Sequence, residues 1–227
     1  MNHPGVAVRR GRKIEGADVS TTPETAPKRG SRLPRLARRA QLLEAAQEVF
    51  VANGYHAAAM DDIADRAGVS KPVLYQHFPG KLDLYLALLD TSCDAIVASV
   101  RDALRSTEDN KERVGATIHA FYEYVANAQG AFRLVFESDL TNEPAVRERV
   151  ERVTHQCAEA CSEVISADAG LSKEQSMVLA VSLVGMAQVS ARYWLGSENS
   201  SLAQQQAADL VASLAWRGIR GFPRTES

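Results

Sequence analysis

Residues 60–78 read MDDIADRAGVSKPVLYQHF, and the spacing of small and apolar residues in this stretch predicts two short helices joined by a sharp turn. Ala64 places a small side chain where the two helices would cross. Gly68, four residues later, adopts positive φ at little cost, so the chain can turn there. Leu74 follows as an apolar anchor. This pattern is typical of a helix-turn-helix.

The side chains of this stretch fall into an inward and an outward set. The apolar residues that we expect to face the core are Ile63, Ala67, Val69, Leu74 and Phe78. The residues that then point away on the second helix are Lys71, Pro72, Tyr75 and His77. Ser70 suits the N-cap of this helix, and Pro72 in the first turn loses no helical hydrogen bond. A polar second helix held outward predicts a DNA-recognition helix.

The flanking segments favour a DNA-binding head over a plain helical hairpin in a bundle, which the short spacing alone would also allow. Upstream, residues 35–53 repeat apolar side chains at the helical period and end at Gly54. Downstream, Pro79 and Gly80 break the chain before another amphipathic helix over 82–100. Three helices in this order predict a compact head.

Residues 38–89 resemble the DNA-binding domain of the TetR family of bacterial transcriptional regulators. The positions that carry the resemblance are Gly54, Tyr55, Ile63, Ala64, Ala67, Gly68, Val69, Ser70, Leu74, Tyr75, His77, Phe78 and Lys81. The sequence departs from the family at Ala58 and Ala59, where Thr and Ser are common. This departure removes a hydroxyl contact to phosphate and a helix cap at one edge of the head.

The resemblance and the chemistry of the side chains together give a set of candidate DNA contacts. They are Arg35, Arg38, Arg39, Ala59, Ser70, Lys71, Pro72, Val73, Tyr75, His77 and Lys81. Ser70 and Lys71 open the recognition helix, where a hydroxyl, an ammonium group and the helix N-terminus favour a phosphate or a base acceptor. Tyr75 and His77 can donate to phosphate, and His77 can also reach a base edge.

The other candidates on or after the recognition helix have simpler roles. Pro72 and Val73 can touch a thymine methyl group. Lys81, at the start of the next helix, is expected to contact phosphate. A solvated surface position is the alternative for both Lys71 and Lys81, and the family resemblance favours the phosphate contacts.

Positive charge is concentrated at one end of the chain, although the 227 residues carry a net charge of only -2. Residues 1–40 hold ten Lys or Arg against three acidic residues, whereas residues 91–227 hold thirteen against eighteen. Attraction to phosphate requires positive charge beside the candidate head. Residues 1–32 lack an apolar period and are expected to be a disordered basic tail, either a solvated leader or an arm that adds DNA affinity.

The rest of the chain predicts an all-α body without strand alternation. The expected helices cover about 82–105, 111–128, 130–138, 144–167, 172–195 and 201–219. The expected domains are the tail over 1–32, a helix-turn-helix domain over 33–82 and a helical effector-binding and dimerisation domain over 83–221. In the TetR family such a body senses a small molecule and forms the dimer.

Three cysteines argue against a disulfide framework and favour a reducing, cytoplasmic compartment. Cys157 and Cys161 share a helix face, with His155 nearby. No second ligand cluster in the sequence completes a metal site, so buried core thiols are the favoured interpretation over a metal or redox sensor. Neither a metal nor a cofactor is expected.

Residues 177–189 read MVLAVSLVGMAQV and are apolar nearly all round, so this helix has to be covered on several sides. The run is too short to cross a membrane, and no membrane partner is expected. Pairing with the helix over 202–219, which carries Leu210, Leu214 and Trp216, predicts a four-helix homodimer interface across a twofold axis. A helix buried wholly within its own chain is the alternative.

A dimer would hold two recognition helices about one turn of DNA apart. Two such helices would read a partly palindromic double-stranded operator. A ligand that favours a different separation of the two heads would change operator occupancy without touching DNA, provided that its affinity differs between the two states.

Apolar and aromatic residues of the predicted body helices are candidates for a ligand pocket, although sequence cannot separate a pocket lining from a core. The candidates are Phe121, Tyr122, Val125, Phe132, Arg133, Phe136, Leu140, Val150, Val153, Cys157, Val184, Gln188 and Arg192. Arg133 and Arg192 are candidate partners for the anionic end of a ligand, with surface ion pairs as the alternative.

The runs FRLVFESDL, NEPAV, ISADAGL and VGMAQVSARYWL resemble actinobacterial regulators of fatty acid synthesis of the FasR type, over about 32–216. This resemblance implies a long apolar tunnel, long-chain acyl-CoA as the effector and control of fatty acid synthase genes. The sign of regulation, activation or repression, stays open. A TetR-type repressor of an efflux or catabolic operon that senses another apolar molecule is the alternative.

An enzyme that processes acyl thioesters is a remote alternative. The histidines are His3, His56, His77, His119 and His155, and none lies in a recognised catalytic signature. Cys157 and His155 are close in sequence, but residues two apart on a helix face different directions. The sequence therefore predicts a regulator and no enzyme.

Overall fold

The computed structural model describes residues 34–127, 135, 140, 142–197 and 201–218, which belong to one compact unit. In chain order the helices are α1 (Arg35–Ala57), α2 (Met60–Arg66), α3 (Lys71–His77), α4 (Lys81–Arg105), α5 (Asn110–Asn127), α6 (Pro144–Ala169), α7 (Lys173–Gly196) and α8 (Gln204–Arg217). No strand occurs in the described ranges, and the predicted all-α fold is confirmed. The predicted tail over 1–32 and the predicted helix over 130–138 lie outside the residues whose structure we describe, apart from Val135.

Helix boundaries follow the residues that the sequence marks as breakers and caps. Gly54, with φ of 74° and ψ of 165°, interrupts α1 at the position predicted for its end. Pro144 begins α6, and Gly170 closes it in the left-handed region at φ of 64°. Ser172 caps α7 by accepting the Gln175 N–H at 3.2 Å, while the Gln175 carboxamide accepts the Ser172 N–H at 3.0 Å.

The head consists of α1, α2 and α3 packed on the first turns of α4. Leu42, Ile63 and Leu74 are fully buried between these helices. Phe50 and Tyr85 meet edge to face with ring centroids 5.3 Å apart, which joins α1 to α4. Burial of these side chains supplies the apolar area that fixes the short helices, which would not be stable alone.

The body is a bundle in which α4 packs against α5 and α6, α6 packs against α7, and α5 packs against α8. Arg149 Nε donates to Asp90 Oδ1 at 2.8 Å and so joins α6 to α4. His119 Nε2 lies 2.8 Å from Asp209 Oδ1 and joins α5 to α8. The continuous α4 therefore runs from the head into the centre of the body.

One face of α7 is apolar and uncovered within the chain. Val178, Val189 and Tyr193 are 63%, 58% and 78% exposed. The buried residues of this helix are small, as with Ala180 and Ala187. The run 177–189 is too short by itself to cross a membrane, but the whole of α7, with 24 residues, is long and apolar enough to do so. The same length and composition equally suit a helix that packs on a second protein surface. Burial of α7 wholly within its own chain, the alternative raised by the sequence, does not occur.

Candidate nucleic-acid interface and ligand cavity

The turn between α2 and α3 is held by backbone hydrogen bonds and by one side chain of α1. Gly68 adopts φ of 63°, and its N–H donates to the Asp65 carbonyl at 3.0 Å. The Val69 N–H donates to the Ala64 carbonyl at 3.0 Å. Gln41 Nε2 donates to the Ala67 carbonyl at 2.8 Å, so α1 fixes the turn from behind. Together these contacts set the angle at which α3 leaves the head.

The recognition helix α3 has a buried base and a solvent-facing side. Its inward residues Leu74 and Phe78 are 0% and 2% exposed, as predicted. The exposed residues at its start and along its outer face are Ser70, Lys71, Pro72, Tyr75 and Gln76, while Val73 and His77 are half-buried. Ser70 occupies the N-cap position but makes no capping hydrogen bond with its hydroxyl group, which leaves that group facing outward.

Gln76 is a candidate that sequence reasoning missed. It is exposed on α3 next to Tyr75. A glutamine carboxamide can pair with the N6 and N7 edge of adenine in the major groove. The signal for it was present, because residues four apart on a helix share a face and Pro72 had already been assigned to the outer one.

Lys71 is paired on the surface with an acid of the preceding helix. Its Nζ lies 2.7 Å from Asp61 Oδ1, and both side chains are more than half exposed. The hydrogen bond and charge of Asp61 raise the pKa of Lys71, which keeps the ammonium group protonated. Exposed ion pairs of this kind contribute little in water, so exchange of Asp61 for a phosphate group costs little.

The surroundings of His77 favour the neutral form of its imidazole. Burial lowers its pKa below the ordinary value, and the charges of Arg35, Arg39 and Arg38 lower it further. A neutral imidazole has one donor and one acceptor nitrogen, which suits a base edge as well as a phosphate oxygen.

The arginines of α1 differ in their partners. Arg38 Nη1 donates to Gln41 Oε1 at 2.7 Å, and the Arg39 guanidinium lies 4.4 Å above the ring of Phe78. Arg35 is exposed at the start of the helix. These three groups place positive charge beside the recognition helix, where electrostatic attraction to phosphate acts.

At the start of α2, Ala58 and Ala59 replace the Thr and Ser that are common in the family, and another side chain partly compensates for the lost hydroxyl groups. Ala58 is buried and Ala59 is exposed. The Ala59 N–H donates to Asp62 Oδ2 at 3.3 Å, which supplies one half of a capping box. Ala59 is exposed, so its backbone lies at the edge of the head that contacts DNA according to the family resemblance.

The ammonium group of Lys81 has partners within the protein. Its Nζ donates to the carbonyl oxygens of Tyr55 at 2.9 Å, His56 at 3.3 Å and Ala58 at 2.9 Å. It also lies 4.6 Å from the centroid of the Tyr55 ring. The predicted phosphate contact of Lys81 therefore competes with an arrangement in which the side chain is directed to the end of α1.

A cavity of about 270 Å³ lies in the body, between α4, α5, α6, α7 and α8. It is lined by Val100, Leu104, Asn110, Arg113, Val114, Thr117, Ile118, Phe121, Cys157, Cys161, Val164, Ile165, Asp168, Ala169, Leu183, Val184, Ala187, Gln188 and Trp216. Fourteen of these nineteen side chains are apolar. Such a lining favours an apolar ligand through burial of its surface.

Polar groups gather at the end of the cavity where α5 begins and α6 ends. Arg113 Nη1 lies 2.7 Å from Asp168 Oδ2 and 2.5 Å from Asn110 Oδ1. Arg113 Nε donates to the Thr107 carbonyl at 3.2 Å. The opposite end is marked by Gln188, whose Nε2 donates to Thr154 Oγ1 at 3.2 Å. The cavity thus has one charged end and an apolar interior.

The ligand residues predicted from the sequence fall into three groups by their position in the structure. Phe121, Cys157, Val184 and Gln188 line the cavity. Tyr122, Val125 and Val153 are buried elsewhere in the core, Leu140 and Val150 are half-buried against it, and Arg192 is exposed on α7. Phe132, Arg133 and Phe136 lie outside the described residues.

Most of the residues that line the cavity along α5 were not predicted. Arg113, Thr117 and Phe121 follow one another at four-residue intervals and share one face of the helix. Their helical period was a usable signal. The residues predicted on α5 are the aromatic and aliphatic side chains of Phe121, Tyr122 and Val125. Tyr122 faces the core, where its hydroxyl group donates to Ser190 Oγ at 2.9 Å.

The two cavity cysteines are protonated and buried. Burial raises the pKa of Cys157 to about 12 and that of Cys161 to about 11. No group of three or more metal-type ligands occurs in the part of the chain that the structure describes. These thiols therefore act as small apolar side chains in the wall of the cavity.

Alkylation of the cysteines should be slow in the folded protein. The thiolate form is the reactive species, and at pH 8 the raised pKa values leave only about one part in a thousand of it or less. We expect iodoacetamide to modify Cys157 and Cys161 at least roughly 100-fold faster in denaturant than in buffer, as measured by peptide mass spectrometry. Equal rates in the two conditions would contradict the burial of these side chains.

The family comparison agrees with this geometry. The family model for "Bacterial regulatory proteins, tetR family" matches residues 42–88, which cover α2, α3 and the adjoining parts of α1 and α4. The HTH-type transcriptional repressor KstR2 of Mycobacterium tuberculosis is 36% identical over 88 residues, or 39% of this chain and 44% of that protein. Both similarities are limited to part of the chain.

Two solved structures extend the similarity of fold to the body. A TetR-like transcriptional regulator from Rhodococcus sp. RHA1 is 28% identical, with a TM-score of 0.67 over 84% of this chain and all of that one. FadR of Bacillus subtilis, solved in complex with stearoyl-CoA, shares the fold at a TM-score of 0.67 and 18% identity, over 79% of this chain and 98% of that one.

Similarity over nearly the whole length comes from one further relative. The HTH-type transcriptional activator FasR of Mycolicibacterium smegmatis is 48% identical over 200 residues, or 88% of this chain and 91% of that protein. The resemblance that the sequence predicted is thereby confirmed. With its outward recognition helix and this degree of identity, the chain belongs to the TetR family of bacterial transcriptional regulators.

Proposed function

We propose that this regulator binds a partly palindromic operator as a homodimer and controls fatty acid synthesis genes in response to long-chain acyl-CoA. The observation that carries the proposal is the apolar cavity with one charged end, in a chain 48% identical to an activator named FasR. The structure of FadR with stearoyl-CoA supports an acyl-CoA ligand for this fold. We place its action in the cytoplasm, where the chromosome lies.

DNA recognition is assigned to α3 and its surroundings. Lys71 and Tyr75 are exposed on the outer face, with Gln76 beside them. The lysine can bind phosphate, the phenol can donate to phosphate, and the carboxamide can read a base edge. Arg35, with the other arginines of α1, adds sequence-independent attraction that falls as salt rises.

Dimerisation is assigned to the uncovered faces of α7 and α8. Val178 and Val189 are exposed on α7, and Leu210 and Trp216 are each nearly half exposed on α8. Large apolar side chains exposed on two helices that contact each other are unfavourable in water and favour association. A twofold pairing of these helices would cover it and hold two heads at a fixed distance.

Effector binding is assigned to the cavity. The acyl chain would lie along α5 from Arg113 toward Phe121, among apolar side chains. The charged end at Arg113 and Asp168 would then meet the polar part of the ligand. Three of the helices that line this space also belong to the head (α4) or to the dimer surface (α7 and α8), so a ligand could favour one separation of the heads.

A regulator of an efflux or catabolic operon that senses another apolar molecule is a second candidate, because apolar linings discriminate weakly between apolar ligands. The relatives that cover this chain are named as transcriptional regulators, which favours regulation over catalysis. Genomic footprinting of the purified protein with and without a panel of acyl-CoA species would distinguish the two regulators. Sites beside efflux genes that do not respond to acyl-CoA would favour the second candidate.

Thermal unfolding should respond to the length of the acyl chain. A ligand at about 100 times its Kd stabilises the folded state by about 2.7 kcal/mol, which corresponds to a rise in Tm of roughly 5–10 °C for a chain of this size. We expect this rise with acyl-CoA of about sixteen carbons or more, because longer chains bury more apolar surface.

Short-chain acyl-CoA and free CoA are the matched controls in the same experiment. They carry the same nucleotide and phosphates, so they test whether the acyl chain is responsible for binding. No change in Tm at saturating long-chain ligand would reject the acyl-CoA proposal and leave the DNA-binding function in place.

A further inference from the structure

The side chain of Lys81 is directed at the end of α1, although this residue begins α4. An ammonium group has three N–H donors, and three carbonyl oxygens lie within 3.3 Å of the Lys81 Nζ. They belong to Tyr55, His56 and Ala58. The Tyr55 ring lies 4.6 Å away and adds a cation–π contact.

This arrangement matches the electrostatics of both helix ends. The last carbonyl groups of a helix lack partners within the helix and carry partial negative charge. A lysine that donates to such carbonyls stabilises the helix end. A positive charge at the first residue of α4 is unfavourable by itself, because the start of a helix carries partial positive charge. The carbonyls of residues 55, 56 and 58 offset that cost.

A phosphate contact would require Lys81 to give up these bonds. The carbonyls of Tyr55 and Ala58, whose bonds to Lys81 are partly buried, would then need other partners, since unpaired backbone acceptors at such positions are costly. Lys71 provides the contrast, because its Nζ is exposed and pairs only with the exposed Asp61 carboxylate in the described residues. The two lysines that sequence reasoning treated alike therefore occupy different environments.

The position of Lys81 also matters along α4. The same helix lines the cavity at Val100 and Leu104, 19 and 23 residues further on. At a rise of 1.5 Å per residue, Val100 lies about 28 Å along the axis from Lys81. The contact between Lys81 and the end of α1 therefore joins the head to the helix that reaches the cavity.

We propose that Lys81 is a positioning residue: its ammonium group holds the end of α1 on the first turn of α4, sets the orientation of the recognition helix and makes no contact with DNA phosphate. The head then keeps one orientation relative to α4. Any effect of a cavity ligand on the head through α4 depends on this contact, and that consequence rests on the proposed effector function.

The salt dependence of operator binding tests the assignment. Substitution Lys81→Met removes the ammonium group and keeps most of the side-chain length. Suppose that after the substitution only about one-tenth of the molecules hold the recognition helix in the orientation that binds the operator. Operator affinity then falls about tenfold at every salt concentration. The slope of log K against log salt should stay unchanged, because no phosphate contact has been lost. Fluorescence anisotropy with an operator duplex measures both quantities.

Lys71→Met is the matched control, with the same substitution at an exposed lysine of α3. It should reduce the steepness of the salt slope by about one phosphate contact. A comparable reduction for Lys81→Met would overturn the proposal. An unchanged affinity together with an unchanged slope for Lys81→Met would overturn it as well.

Acetylation of the unsubstituted full-length protein avoids any effect of substitution on folding. In the free protein, acetic anhydride should modify Lys81 at least roughly tenfold more slowly than Lys71, since a bonded and half-buried amine is protected. Operator DNA should then slow the modification of Lys71 and leave the rate at Lys81 within about twofold of its free value. Peptide mass spectrometry gives both rates.

Equal rates for the two lysines in the free protein would refute the contact, and protection of both by DNA would refute the absence of a phosphate contact. The measurement on free protein needs neither operator nor ligand. A failure of the acyl-CoA proposal or of the operator assignment would therefore leave this result interpretable by itself.

Discussion

Replacing Val178 and Val189 together by glutamate should convert the protein to a monomer and weaken operator binding by roughly 100-fold or more. Both side chains are exposed within the chain, so the folded monomer tolerates charge at these positions. In a paired α7 surface, each glutamate would lose its water and face another one across the twofold axis. A monomer presents one recognition helix and loses the gain from binding two half-sites at once.

Light scattering after gel filtration measures the mass, and anisotropy with the operator duplex measures affinity. The variant Ala95→Glu with Ala98→Glu is the matched control, because it adds the same charge at exposed positions of α4. We expect the control to remain a dimer with operator affinity close to that of the unsubstituted protein. A dimeric Val178→Glu, Val189→Glu variant with full affinity would show that another surface joins the subunits.

Val184→Trp should abolish the response to long-chain acyl-CoA while operator binding without ligand persists. Val184 lines the cavity on α7, and an indole ring placed there occupies part of a space of about 270 Å³. One methylene group in an apolar pocket already changes affinity by about 10- to 200-fold, so a ring should weaken ligand binding by more than roughly 100-fold. Filling an empty space should leave the Tm without ligand unchanged or slightly raised.

The Tm rise with ligand and the ligand effect on operator affinity are the two measurements. Val184→Ile is the matched control, since it adds one methylene group at the same position and leaves most of the cavity open. It should keep a measurable response. If Val184→Trp responds to acyl-CoA as strongly as the unsubstituted protein, the effector binds elsewhere in the chain.

The head is the part of the molecule that sequence reasoning predicted most fully. The turn, its positive φ and its buried anchor were predicted from Ala64, Gly68 and Leu74. This was possible because two helices that cross closely need particular residue types at fixed short spacings. The roles of the lysines were less predictable. Lys71 and Lys81 have the same chemistry, and only the folded backbone places three carbonyl groups beside one of them.

The cavity was predicted less well. Among the predicted ligand residues, Phe121 and Val184 line the cavity, whereas Tyr122 and Arg192 have other surroundings. The charged end at Arg113 was not predicted at all. An apolar stripe on a helix looks the same in sequence whether its partners touch it or leave a space, because periodicity records which face is inward and not how far away the next helix lies.

Four features with local causes could be predicted from the residues alone: the order of the helices, the turn at Gly68, the breaks at Gly54 and Gly170, and the family. Such features depend on backbone conformation and side-chain period within a few residues. Two contacts became visible only in the folded chain: Arg113 meets Asp168, 55 residues away in sequence, and Lys81 donates to carbonyl groups at the end of α1. Both contacts join residues whose separation in space depends on how whole helices pack, and no local pattern encodes that distance.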